Sequence, residues 1–169
     1  MIAALSRIGP YQARGAHSEG PVPPQVDARR RAGEKPAVKS FFPHSATTGD
    51  VTVRVSVSFL PEQSEPGKGR WFWAYHVRIE NGSAGAVQLI SREWTIADSR
   101  GGRHQVQGEG VVGEQPVIEP GGSFDYVSGC PLPTPTGWME GHYRMIAADG
   151  VAFDAAIPRF PLVAPAVTS

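Results

Sequence analysis

Residues 107–116 read QGEGVVGEQP and set Gly108, Gly110 and Gly113 at the G-x-G-x-x-G spacing that holds a pyrophosphate in dinucleotide-binding proteins. That chemistry needs a helix to open at the third glycine, so that free backbone N–H groups and the helix dipole meet the phosphates. Gly113 is followed by EQPVIEPGGS, where Pro116, Pro120 and two further glycines forbid such a helix. Glu109 and Glu114 place negative charge where the pyrophosphate would sit. The glycines are therefore expected to be structural, permitting a bulge and positive φ where a strand passes into a crossing loop. No cofactor is assigned to them.

The other reactive side chains are scattered. His17 and His44 fall in an N-terminal segment without hydrophobic periodicity, and His76, His104 and His142 fall on separate strands without paired ligand spacing. Glu109, Glu114, Glu119 and Asp125 occur singly, where a magnesium site needs clustered carboxylates. Cys130, in SGCPLP, has neither a helix N-terminus nor a basic cluster to lower its pKa, so it reads as a small buried hydrophobe. No G-x-S-x-G elbow offers a hydrolase serine. Asn81-Gly82-Ser83 matches a glycosylation sequon and is expected to be a turn. No catalytic residue and no metal ligand is assigned.

The elements that position these residues are legible in the period-2 pattern. VTVRVSVSFL sets Val51, Val53, Val55, Val57 and Phe59 on one face. RWFWAYHVRIEN sets Trp71, Trp73, Tyr75, Val77 and Ile79 together, and AVQLISREWTIAD continues after the turn NGSAG with a register change near Ser91 that a β-bulge would make. Phe124, Tyr126 and Ser128 share a face, as do Tyr143, Met145 and Ala147, and Asp149-Gly150 signals a hairpin. Strands are predicted at 51–60, 70–81, 86–97, 103–109, 122–130, 141–148 and 151–158. Twenty glycines and 16 prolines punctuate a chain of 169 residues, and no segment has helical period. The expectation is a single all-β domain, an immunoglobulin/fibronectin III-like sandwich of about seven strands over 49–163, with an open barrel as its competitor and a flexible tail at 164–169.

Residues 1–48 carry net charge +4 and residues 49–169 net −4, within an overall balance of 16 basic and 16 acidic side chains. The first segment, containing EGPVPPQVDARRRAGEKPAVKS, is the mixture of Pro, Gly and charge expected to be a disordered, basic extension, with Arg29, Arg30 and Arg31 solvated. Its opening residues are also compatible with an organelle transit peptide, although Pro10 and Gly15 interrupt the helix that requires. The cancelling charges argue against nucleic acid as a partner, and no run reaches the roughly 18 apolar residues of a membrane helix. One cysteine excludes an intrachain disulfide. A cytoplasmic protein is expected.

EQSEPGKGRWFWAYHVRIEN, VQLISREWTIAD, VQGEGVVGEQPVIEPGGSFDYVSGCPLPTPTGWMEGHYRM and FDAAIPRFPL together resemble the ApaG family, almost continuously from about Asp50 to Leu162. The resemblance implies a fibronectin III-like sandwich, matching the strand pattern, and no established enzymatic activity. It also implies an association by name with cobalt and magnesium tolerance and a kinship with protein-binding domains of eukaryotic F-box proteins. The expected function is a non-enzymatic protein-binding module with an unidentified protein partner. A small-ligand or divalent-metal-responsive regulator is the alternative, and a phosphate-ester enzyme a distant one. Core packing is the default for the four tryptophans. Trp138 with Met139 is nevertheless the strongest candidate for an exposed anchor, on a stiff loop GCPLPTPTGWM that includes Pro131, with Glu114 and Gln115 joining it if the glycine loop lies nearby.

Overall fold

A computed structural model describes residues 42–166. These residues form nine strands: β1 (His44–Thr48), β2 (Val51–Phe59), β3 (Trp71–Asn81), β4 (Val87–Asp98), β5 (Arg103–Glu109), β6 (Val117–Ile118), β7 (Ser123–Leu132), β8 (Thr136–Ala147) and β9 (Ala152–Val163). Two single-turn 3-10 helices, each opened by a proline, link β2 to β3. The strands make two antiparallel sheets. One runs β1-β2-β3-β7; the other runs β5-β4-β8-β9, with the short β6 also paired to β4. This is the immunoglobulin/fibronectin III-like sandwich.

The alternation that defines the strands also builds the core. Val51, Val53 and Val55 of β2 face Trp73, Tyr75, Val77 and Ile79 of β3 on the inner side, and Trp94, Tyr143, Met145, Phe160 and Leu162 meet them from the other sheet. Trp94 lies edge-on to Tyr75, Tyr143 and Phe160 with ring centroids 5.4, 6.5 and 6.1 Å apart, the aromatic geometry that adds to simple area burial. Trp73 is buried too, and its indole N–H donates to the Val163 carbonyl at 3.2 Å.

Several expectations need correction. His44–Thr48 is not part of a disordered segment: it pairs with β2 across a two-residue Gly49-Asp50 turn, with Gly49 at φ +59. Its sequence HSATT has no large apolar residue, so periodicity could not reveal it. What holds it is edge pairing, His44 against the Phe160 ring, and Thr48 Oγ1 accepting from the Ala156 amide at 3.0 Å. His44 thus belongs to the fold. Residues 1–41, with His17 and the Arg29–Arg31 run, lie outside the described residues, as do 167–169.

The expected loop GCPLPTPTGWM is also mostly strand. β7 runs on to Leu132 and β8 begins at Thr136, leaving only 133–135 between them. Pro131 is tolerated because β7 is an edge strand, and Pro158 and Pro161 because β9 is another. The connection is closed by buried Thr134, whose hydroxyl donates to the Thr136 carbonyl and accepts from the Ser99 amide. Gly137 is obligatory next to it, since a Cβ there would lie 2.2 Å from the Ala97 carbonyl oxygen.

Candidate functional site

The register shift anticipated near Ser91 falls between Leu89 and Ser91. Its consequence is chemical. Beyond the bulge the inward face of β4 carries Trp94 and Ile96, and Arg92, two residues before Trp94, shares that phase. Arg92 stands opposite Gly108 on β5, and its guanidinium lies flat over that glycine: a Cβ on Gly108 would sit 3.0 Å from both Nη1 and Nη2. Nη1 donates to the carbonyls of Glu109 (3.1 Å) and Gly110 (2.7 Å).

The next two glycines shape the turn that follows. Gly110 has φ +63, its amide donates to the Ile90 carbonyl at 2.8 Å, and a Cβ there would meet the Glu114 carbonyl oxygen at 2.2 Å. Val111 and Glu114 exchange backbone hydrogen bonds of 2.8 Å, and the two residues between them, Val112 (φ +42) and Gly113 (φ +82), are both left-handed, as a type I′ turn requires. Glycine supplies that conformation freely; a β-branched valine does not. The Gln115 side chain then donates to the Ile90 carbonyl, and the Leu89 amide to the Pro116 carbonyl, pinning the segment to β4. Gly113 is followed by β6 and not by a helix. The spacing that elsewhere cradles phosphate here cradles a guanidinium.

Under this turn lies a pocket of about 180 Å³ bounded by Arg92, Glu109, Val111, Val112 and Gly113 at the rim and by Tyr75, Trp94, Val106, Tyr126 and Ser128 below. Its floor continues into a buried polar cluster, where the Tyr126 and Tyr143 hydroxyls hydrogen-bond each other. Burial pushes all three phenols well above their ordinary pKa, with the Arg92 charge working in the opposite direction. They are neutral donors at physiological pH. Cys130 is fully buried on β7 with its thiol pushed up to about 12 by desolvation, which removes it as a nucleophile.

The outer face of the second sheet carries a different arrangement. Trp138 lies between two arginines: the Arg159 guanidinium sits 3.7 Å from the ring centroid and that of Arg103 5.3 Å from it. Arg103 pairs with Ala97, and Ala97 with Trp138, so the small alanine between them leaves the space through which Arg103 reaches the indole. Arg159 is fixed from the other side by Glu140, Nε to Oε1 at 3.0 Å and Nη2 to Oε2 at 3.3 Å. Further along the same face His142 meets Glu93 at 3.2 Å, and Arg144 meets Asp154 at 2.9 Å.

The anticipated anchor set is dispersed. Trp138 is half-buried on the sheet face, while its neighbour Met139 is wholly buried and available to no partner, because successive residues of a strand point to opposite sides. Glu114 and Gln115 are exposed on the glycine turn, about seven residues along β4 from Trp138 and so roughly 20 Å away. Pro131 lies in the other sheet, opposite Phe72. Sequence reasoning missed Arg92, Arg103 and Arg159. For Arg92 the signal was present, a lone charge that the bulge turns inward; for the other two only the assembled sheet shows the clamp.

The sequon asparagine, Asn81, is buried and donates to the Gly85 and Ile118 carbonyls, tying the crossing loop to β3. Among the described residues no three His, Cys, Asp or Glu side chains converge as metal ligands, and no helix is long and apolar enough to cross a membrane.

Two antiparallel sheets with an aromatic held between arginines on one outer face and a small pocket at one end define a fibronectin III-like β-sandwich domain. Residues 61–147 match the family described as DUF525, ApaG domain, and the chain belongs to that family. It is 52% identical to Protein ApaG of Methylobacterium sp. (strain 4-46) over 124 residues, 73% of this chain and 95% of the relative. It is 55% identical to Protein ApaG of Maricaulis maris (strain MCS10) over 115 residues, 67% of this chain and 88% of the relative. A crystal structure described as an ApaA protein of Bordetella pertussis superposes with a TM-score of 0.67 at 44% identity, covering 70% of this chain and 96% of that one.

Proposed function

We propose that this domain is a non-enzymatic, cytoplasmic protein-binding module whose recognition surface is the outer face of the second sheet around Trp138. The clamp of Trp138 between Arg103 and Arg159 carries this reading. Tryptophan and arginine dominate binding hot spots, and a side chain already held by its neighbours loses little entropy on docking. Glu140 fixes Arg159 yet leaves Arg103 without a carboxylate among the described residues, so the patch suits an acidic or carboxylate-bearing partner surface. Any effect on cobalt or magnesium tolerance would run through that partner.

Immobilised full-length protein incubated with cell extract, with bound proteins identified by mass spectrometry, tests the reading. A partner retained by the wild type and by Val117→Ser on another part of the surface is expected to be lost with Trp138→Ala. Loss of about 2 kcal/mol, roughly thirtyfold in affinity, is the scale expected for such an anchor. Equal retention by a folded Trp138→Ala protein would exclude this face.

A further inference from the structure

Arg92 is placed facing inward by a bulge, and its Nη1 is occupied by two backbone carbonyls. Among the described residues, Nε and Nη2 have no acceptor and no carboxylate lies in ion-pair reach of the guanidinium. A half-buried cation without a counter-charge is costly unless something supplies one. It borders a pocket whose other walls divide by chemistry: Trp94, Val106, Val111 and Val112 are apolar, while Tyr75, Tyr126 and Ser128 present hydroxyls. An apolar cavity of about 150 Å³ admits benzene, so roughly 180 Å³ holds a ring or short hydrocarbon body with one small polar head.

We propose that this pocket binds a small organic monocarboxylate, its carboxylate on the open edge of Arg92 and its apolar body against Trp94, Val106 and Val111. One planar guanidinium edge matches one carboxylate. A phosphate dianion or a nucleotide is disfavoured, because Arg92 is the one cation among the lining residues and Glu109 stands on the same rim. The volume also falls below the several hundred Å³ that drug-sized ligands occupy. The site is independent of the Trp138 face and stands or falls without it.

Titration of isotope-labelled full-length protein with benzoate, followed by two-dimensional amide NMR, tests the site. Benzoate is expected to bind with a millimolar or tighter Kd and to move the amides of Val111 to Gly113 and the indole N–H of Trp94. The neutral isostere benzamide is expected to bind about tenfold more weakly or worse, since it forfeits the charge-assisted pair. Arg92→Met should weaken benzoate to the same degree. Because Arg92 also staples the turn, Val106→Phe gives a second variant, filling the pocket while leaving the guanidinium in place; it should abolish the shifts. Inorganic phosphate and ADP should not compete. Absence of localised shifts at saturating benzoate, equal affinity for benzamide, undiminished binding by folded Val106→Phe, or displacement by ADP would each overturn the proposal.

Discussion

The three glycines of the opening motif do three different jobs, and the difference is measurable. Gly108 gives room to a guanidinium, Gly110 combines a positive φ with a backbone contact that a Cβ would violate at 2.2 Å, and Gly113 has a positive φ with open space around it. Gly113→Ala therefore incurs backbone strain alone, about 1 kcal/mol. Gly110→Ala incurs strain and a collision, about 2 to 4 kcal/mol. Urea denaturation of the two variants should separate them clearly; equal midpoints would mean that the turn relaxes around the added methyl group. At this scale the sequence was informative about residue type and poor about direction. The alternation read from GHYRM placed Tyr143 and Met145 inside correctly. Carried back in steps of two through Gly141, the same alternation also puts Met139 inside, and the irregularity between Met139 and Gly141 adds its extra residue to β9 without changing the phase of β8; Met139 was missed because GCPLPTPTGWM was read as a loop.

At the scale of strands, the outer face of the first sheet is held by a cross-strand ladder. Asp125 of β7 accepts two charge-assisted bonds from Arg78 of β3, Nε to Oδ1 and Nη2 to Oδ2 at 2.9 Å each, and a contact of 2.9 Å from the His76 ring. The Arg78 guanidinium in turn lies 5.0 Å from the buried Phe42 ring, and Phe42 packs edge-on to His76. Burial alone would raise the Asp125 carboxyl, but the hydrogen bonds and charges of His76 and Arg78 outweigh it and leave it below the ordinary value. A group depressed on folding contributes stability above its unfolded pKa, near pH 4, and loses it as pH falls through the folded value. Asp125→Asn should therefore cost about 1 kcal/mol at neutral pH, a modest figure because a third of the side chain remains solvated. Between neutral pH and pH 3 its unfolding free energy should decline less than that of the wild type. Parallel pH profiles would show that the ladder is not an energetic unit. Strand existence was read mainly from alternation, clearest in β2, β3 and β8, while β5 has Val106 as its one buried apolar side chain and was bounded by the turns around it. The two that were missed, polar β1 and two-residue β6, offer no alternation to read.

For the molecule as a whole, the question is where the domain begins. Composition put the boundary at residue 49, because everything before it lacks large apolar periodicity. Packing puts it earlier: β1 joins the edge of one sheet to β9 of the other through the Thr48 hydroxyl and the Ala156 amide, and the buried Phe42 packs against His76 and Arg78 on the outside of the first sheet. A sandwich of two short-edged sheets is weakest where its edges meet, and these residues close one such corner. A chain starting at residue 49 loses the Phe42 burial, worth about 2 kcal/mol, together with one edge strand and its cross-sheet bond. Its Tm should fall by roughly 6 to 12 °C relative to a chain starting at residue 41. Identical melting of the two truncated chains would mean that β1 rides on the sandwich without supporting it, and that the compositional boundary is the physical one after all.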